Sequence, residues 1–144
     1  MIQFFYETED FTLEDSQVFA DWLNACAERH GYEIEDINYI FCDDEYLLAI
    51  NQKHLDHDYY TDIITFDYGD EQVLSGDIFI SIDRVSDNAF EYSSDFEAEL
   101  GRVMIHGLLH MMGYKDKTEE EKQEMRNKED ECLQLIFNDF DEEE

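Results

Sequence analysis

The chain predicts an α+β fold, a sheet of about four strands flanked by helices, on three observations. Four short runs rich in β-branched and aromatic residues alternate with longer runs whose apolar residues recur every three or four positions. No Pro-rich or Gly/Ser-rich linker and no internal repeat interrupts this order, so one domain is expected over residues 1–144. The 144 residues, 43% of them hydrophobic, supply enough apolar mass for one packed core and too little length for two.

The elements follow in order. "IQFFYE" reads as a first strand. After Thr12, with Asp15 three further on, "SQVFADWLNACAERHG" reads as a helix that turns Val18, Phe19, Trp22, Leu23 and Cys26 inward and stops at Gly31. His30, just before that stop, suits the negative end of the helix. "INYIFC" alternates as a second strand, and Asp44 is expected to cap a short helix through "EYLLAINQKH". Beyond a polar loop, "DIITFDY" and "DIFISI" form two more strands around a turn at Gly69 and Asp70. Ser81 or Asp83 opens a helix towards Tyr92. Ser94 and Glu97 have capping-box spacing, and the run they open, "DFEAELGRVMIHGLLHMMG", carries Phe96, Leu100, Val103, Gly107, Leu108 and Met111 at helical spacing. Thr118 and Glu121 mark a last helix through "EKQEMRNKEDECLQLIF", with Met125, Glu129, Cys132, Leu133 and Ile136 near one face. The acidic end, residues 138–144, is expected to fray.

Composition narrows the functional classes. Cys26, Cys42 and Cys132 are odd in number and far apart, which suits buried reduced thiols in the cytoplasm better than a disulfide framework or a zinc knuckle. The first fifteen residues lack a basic segment followed by an apolar run, and no stretch approaches the roughly 18 apolar residues of a membrane span, so no membrane role is expected. With 39 acidic residues against 9 basic ones, the net charge is -30, which should repel nucleic acid. Screening acts over roughly 8 Å at physiological salt, however, so local charge decides. Between Lys115 and Lys128 five basic residues stand against five acidic ones, so this stretch beside the histidines is neutral, and its plainer reading is an ordinary solvated helix face.

That stretch adjoins the motif with chemical content, "IHGLLHMMGYKD" from Ile105 to Asp116. At 3.6 residues per turn, His106 and His110 stack one turn apart on one face and can share a zinc ion. Gly113 is placed for a left-handed helix end, after which Asp116 can turn back as a third ligand. Three protein ligands leave one position for water, the mark of a catalytic rather than a structural zinc. The metzincin proteases use the same spacing. A zinc peptidase, though, needs a glutamate directly after the first histidine as general base, and Gly107 has no side chain to move a proton.

"HGLLHMMGYKDKTEEEKQEM", preceded by "INQKHLDHDYYTDIITFDY" and "SGDIFIS", resembles the YbeY family of bacterial single-strand-specific endoribonucleases, over roughly Ile50 to Met125. His106, Gly107, Leu109, His110, Gly113 and Tyr114 fall on the family's signature; Thr61, Asp62, Ile63 and Phe66 fall on one of its strands; Gly76, Asp77 and Ile78 match its Gly-Asp-Ile. The resemblance implies a zincin-like fold with a mixed sheet, and a zinc-dependent hydrolase of phosphodiester bonds. It further implies a role in rRNA maturation, at the 16S rRNA 3′ end, and in ribosome quality control. Single-stranded RNA or an rRNA precursor, and the ribosome or its proteins, are the partners implied. The reacting group would be water on the metal. His54 and His57, beside Lys53, could bind phosphate or shuttle protons, His57 being the candidate catalytic residue, although exposed loop histidines often have no role. Tyr59, Tyr60, Phe66 and Tyr68 could stack bases, though strand aromatics are mostly core.

Two departures from the family pattern stand out. Leu55 occupies a position where the family typically has arginine, so a phosphate-stabilising cation is missing there. Lys115 and Asp116 replace its Asp-His, so the third ligand becomes a carboxylate, which cancels one more unit of metal charge than imidazole does. Two other functions are open at this level: an acidic ribosome-binding module fastened by a structural metal, and a zincin-like peptidase, against which Gly107 argues. For the nuclease, carboxylate ligation makes the metal's water a weaker acid. The pH profile of cleavage should therefore move to lower pH in Asp116→His, and an unchanged profile removes the argument.

Overall fold

The computed structural model describes residues 1–55 and 60–137. The elements run β1 (Ile2–Tyr6), α1 (Ser16–Arg29), β2 (Glu33–Cys42), α2 (Asp44–Leu55), β3 (Ile63–Asp67), β4 (Val73–Ser81), α3 (Ile82–Glu91), α4 (Phe96–Met111) and α5 (Glu119–Leu133). The sheet has the order β1-β2-β4-β3, with β1, β2 and β4 parallel and β3 antiparallel to β4. The α+β class with a mixed four-stranded sheet is thus as expected.

Alternation along the strands divides the apolar residues between two faces. Ile37, Tyr39, Phe41, Ile78 and Ile80 join the main core with α1, α4 and α5, while Ile64, packed with Phe66 and Phe79, lies with Leu47 of α2. Helices therefore cover both faces, as parallel strands require. Buried polar atoms tie the layers together: the Tyr39 hydroxyl donates to the Met104 carbonyl at 3.0 Å and Trp22 Nε1 donates to the Cys132 carbonyl at 2.7 Å. All three cysteines are free and buried, and burial, with acidic neighbours, pushes the Cys42 thiol up to about 12.

Several local expectations are corrected. Thr12 does not open α1; Asp15, in the left-handed conformation at φ 56°, precedes Ser16, and Val18 faces outward at 53% exposure. Asp43 rather than Asp44 caps α2, accepting from the Tyr46 amide at 2.8 Å. Asp44 instead accepts from Ser81 Oγ at 2.7 Å and from Arg84 Nε at 3.1 Å, joining α2 to the start of α3. Ser94 forms no capping box with Glu97, because Asp95 is the residue that precedes α4. Strands β2 and β4 start earlier than their apolar runs, since each supplies the other's backbone partners from Glu33↔Val73 onward.

Close approach sets the position of α4. A Cβ at Gly76 would lie 2.1 Å from the Phe66 carbonyl oxygen and 2.8 Å from Met111 Cε, so only glycine lets β3 and α4 crowd β4 there. Gly76→Ala should lower stability by about 1–3 kcal/mol or more, seen as an earlier urea midpoint. An unchanged midpoint contradicts this packing.

Candidate metal centre

Helix α4 is buried along most of its length, with Leu100, Val103, Met104, Ile105, Leu108 and Leu109 inside. Gly107 lies on the sheet: a Cβ there would come within 2.9 Å of Ile63 Cδ1 and 3.3 Å of both Ile78 Cγ2 and Thr65 Oγ1. A glutamate at 107 would be driven into the sheet. His106 and His110 stay half-buried, with ring centroids 4.6 Å apart and planes at 83°.

The chain turns back at Gly113, whose φ of +102° a side chain would strain. The Gly113 amide donates to the His110 carbonyl at 3.0 Å and the Tyr114 amide to the Leu109 carbonyl at 3.1 Å, the paired bonds of a Schellman turn. Five residues after Gly113, a capping box starts α5: the Glu121 amide donates to Thr118 Oγ1 at 3.0 Å, and the Thr118 amide to Glu121 Oε1 at 3.0 Å. Asp116 is held between these two constraints. Its Oδ2 lies 3.3 Å from His106 Nε2 and 3.3 Å from His110 Nε2.

A residue to which the sequence reading gave no role completes the cluster. Glu129, 5% exposed, places Oε2 2.6 Å from His106 Nδ1. A carboxylate can only accept, so Nδ1 carries the hydrogen and a neutral His106 presents its Nε2 lone pair to Asp116. Arg102, one turn before His106, donates to Glu129 Oε1 at 2.7 Å and to Asp130 at 2.7 Å. The signal was an acidic residue within the apolar stripe of α5. Asp62 lines a cavity of about 100 Å3 together with Glu99, Arg102, His106 and Glu129, and burial raises its carboxyl above the usual range, partly opposed by His106.

The donor set fits a small divalent cation. Ligand bonds of about 2.1 Å in a tetrahedron place donor atoms about 3.4 Å apart, close to the 3.3 Å found twice here. Without a positive charge between them, the Nε2 lone pair and the Asp116 oxygen repel. The His106 pKa points the same way: burial pulls it down, yet the Glu129 hydrogen bond and the charges of Glu129, Asp116 and Asp62 outweigh burial and raise it. All three candidate ligand atoms lie within 4.8 Å of one another.

The other histidines are placed apart from this cluster. His30 Nδ1 lies 2.9 Å from the Cys26 carbonyl at the end of α1, its expected structural setting. His54 is on the last turn of α2, not in a loop, with its ring edge-on to Phe66; Leu55 ends that helix, 41% exposed. His57, Tyr59 and the tail from 138 to 144 lie outside the described residues. A second cavity, about 520 Å3, borders the Gly113 turn between His30, Tyr32 and Lys115, but none of the three candidate ligands lines it. Among the described residues no helix is long and apolar enough to cross a membrane.

The chain is similar to known proteins in family, sequence and fold. The family described as endoribonuclease YbeY matches residues 2–136. Proteins named endoribonuclease YbeY from Flavobacterium johnsoniae and Cytophaga hutchinsonii are 53% and 54% identical, covering 94% and 93% of this chain and 97% and 94% of their own. The solution structure of TM1509 from Thermotoga maritima matches with a TM-score of 0.70 at 25% identity, over 99% of this chain and 93% of that one.

Glu129→Gln keeps the shape but weakens the hold on the imidazole, so divalent-metal affinity should fall about 10- to 100-fold in chelator competition. Unchanged affinity excludes Glu129 as the group that orients His106.

Proposed function

The chain belongs to the endoribonuclease YbeY family, and we propose that it is a single-strand-specific, metal-dependent endoribonuclease that matures ribosomal RNA, with the 3′ end of 16S rRNA as its target. In this reading it works in the cytoplasm, meets its substrate on or near the ribosome, and shares in ribosome quality control. His106, His110 and Asp116 hold one divalent cation, zinc being the choice that suits two imidazoles and a carboxylate. The observation that carries the reading is the meeting of two Nε2 atoms at a single Asp116 oxygen at tetrahedral spacing.

When bound, the cation supplies Lewis-acid polarisation of a phosphoryl oxygen and lowers the pKa of water. The protein's own residues do the positioning. Glu129 fixes the His106 tautomer by accepting from Nδ1 at Oε2, and Arg102 holds Glu129 in place by donating to its Oε1. The Schellman turn and the capping box set the reach of Asp116. His57 is the proton-transfer candidate, five residues before Asp62 in sequence. Peptide hydrolysis is disfavoured by Gly107, whose missing side chain is replaced by the sheet. A purely structural metal fits less well with the half-buried histidine pair, which leaves one side of the cluster reachable.

Cleavage of an rRNA precursor by the purified protein should stop with chelator and fall more than about a hundredfold in His106→Ala, beyond the loss typical of an outer-sphere partner. Far-ultraviolet circular dichroism of that variant should match the unsubstituted chain. RNA left intact, with chelator serving only to unfold the protein, would favour the binding module instead.

A further inference from the structure

A chain of net charge -30 has to hold an RNA strand somewhere, and the position where the family typically carries a cation is Leu55. The surface beside α4 offers a different solution. The 100 Å3 cavity bordered by His106 shares Glu99 and Arg102 with an outer chamber of about 400 Å3, whose other walls are Tyr92, Ser94, Ala98 and Arg126. That volume lies within the range of small-ligand sites. His106, Arg102 and Ala98 follow one another at four-residue steps, so the chamber spans about 6 to 12 Å along the helix from the candidate metal ligand.

The chamber has the two groups that single-stranded nucleic acid needs. Tyr92 follows the last residue of α3, and the turn after it, with Ser93 at φ 54° and the Ser94 amide donating to the Ala89 carbonyl at 2.9 Å, leaves the residue 67% exposed. The ring packs against no other aromatic among the described residues. Arg126 is exposed on α5 and, unlike Arg84 and Arg102, forms no salt bridge among the described residues. The one acidic wall residue, Glu99, is raised by burial above the usual carboxylate range, and Arg102 and Arg126 act on it in the opposite direction.

We propose that this chamber is a nucleotide subsite for single-stranded RNA, in which a base a short distance along the strand from the scissile phosphodiester stacks on Tyr92 and a backbone phosphate pairs with Arg126. The proposal rests on the nuclease reading and specifies how its substrate is held. Stacking needs no net positive charge and tolerates any base, because every base has a π face. A polyanionic protein can therefore hold RNA with few phosphate contacts, at a site where local charge outweighs the distant total. Duplex substrates keep their bases stacked inward and cannot use Tyr92, which gives the subsite a preference for single strands.

Steady-state cleavage of a fluorescent single-stranded RNA oligonucleotide by the metal-loaded full chain tests this. Tyr92→Ala should raise KM about 5- to 150-fold with kcat and metal content unchanged, whereas Tyr92→Phe, which keeps the ring, should restore the parent KM. Arg126→Gln should raise KM and flatten the dependence of log KM on log salt by about 0.7, the share of one phosphate contact on a single strand. Unchanged KM in both Tyr92→Ala and Arg126→Gln, with the unsubstituted chain active, overturns the subsite and leaves the nuclease reading standing. No cleavage of RNA by the unsubstituted chain overturns the nuclease reading and the subsite with it.

Discussion

The site depends first on the contact between Gly107 and the sheet. With Ile63, Ile78 and Thr65 filling the space a side chain would take, α4 sits close to β3 and β4. The helical period then has one consequence. If position 107 faces the sheet, positions 106 and 110 share another face, one turn apart, and both rings reach the same point beside the helix. The same glycine removes the group a peptidase would use as base. Packing and chemistry are therefore decided together at one residue: the close approach that orders the histidines is incompatible with a glutamate between them.

Helix α5 is the second organiser. Its start is fixed by the capping box, which determines where Asp116 lies, and its middle supplies Glu129, which determines how His106 is turned. Arg102 reaches from α4 to Glu129 and Asp130, so the two helices are joined by charge as well as by Met125 and Leu133. Burying such a pair rarely adds net stability compared with apolar side chains, though breaking it costs about 3–5 kcal/mol. Its value in this protein is orientation: a hydrogen-bonded imidazole presents one nitrogen in one direction, and a freely rotating ring does not.

Much of this was legible in the sequence. The four apolar runs, the Thr118–Glu121 pair and the Gly113 helix end each express a local rule of backbone chemistry, and each is found in place, with β2 and β4 extended at their starts. The nearness of His106, His110 and Asp116 followed from helical spacing and one glycine turn. Other features depended on tertiary partners that no local pattern displays. Asp95 displaced the Ser94 capping box, Asp43 took the cap expected of Asp44, and Val18 turned outward. Glu129 was placed on the inner face of α5 by periodicity, but its meaning required knowing that His106 and Arg102 lay opposite. The strand order β1-β2-β4-β3 is likewise a matter of pairing across distance, which alternation along a single strand does not encode.

The central claim is that three side chains from one helix and the turn after it converge on a single cation through His106 Nε2, His110 Nε2 and an Asp116 oxygen. An anomalous difference map from metal-loaded crystals, recorded at the absorption edge of zinc, reads this directly. One peak about 2.0–2.2 Å from each of those three atoms, with His106 Nδ1 still on Glu129, is the predicted result. A peak bound through His106 Nδ1, or Asp116 pointing into solvent while metal sits elsewhere, would contradict it.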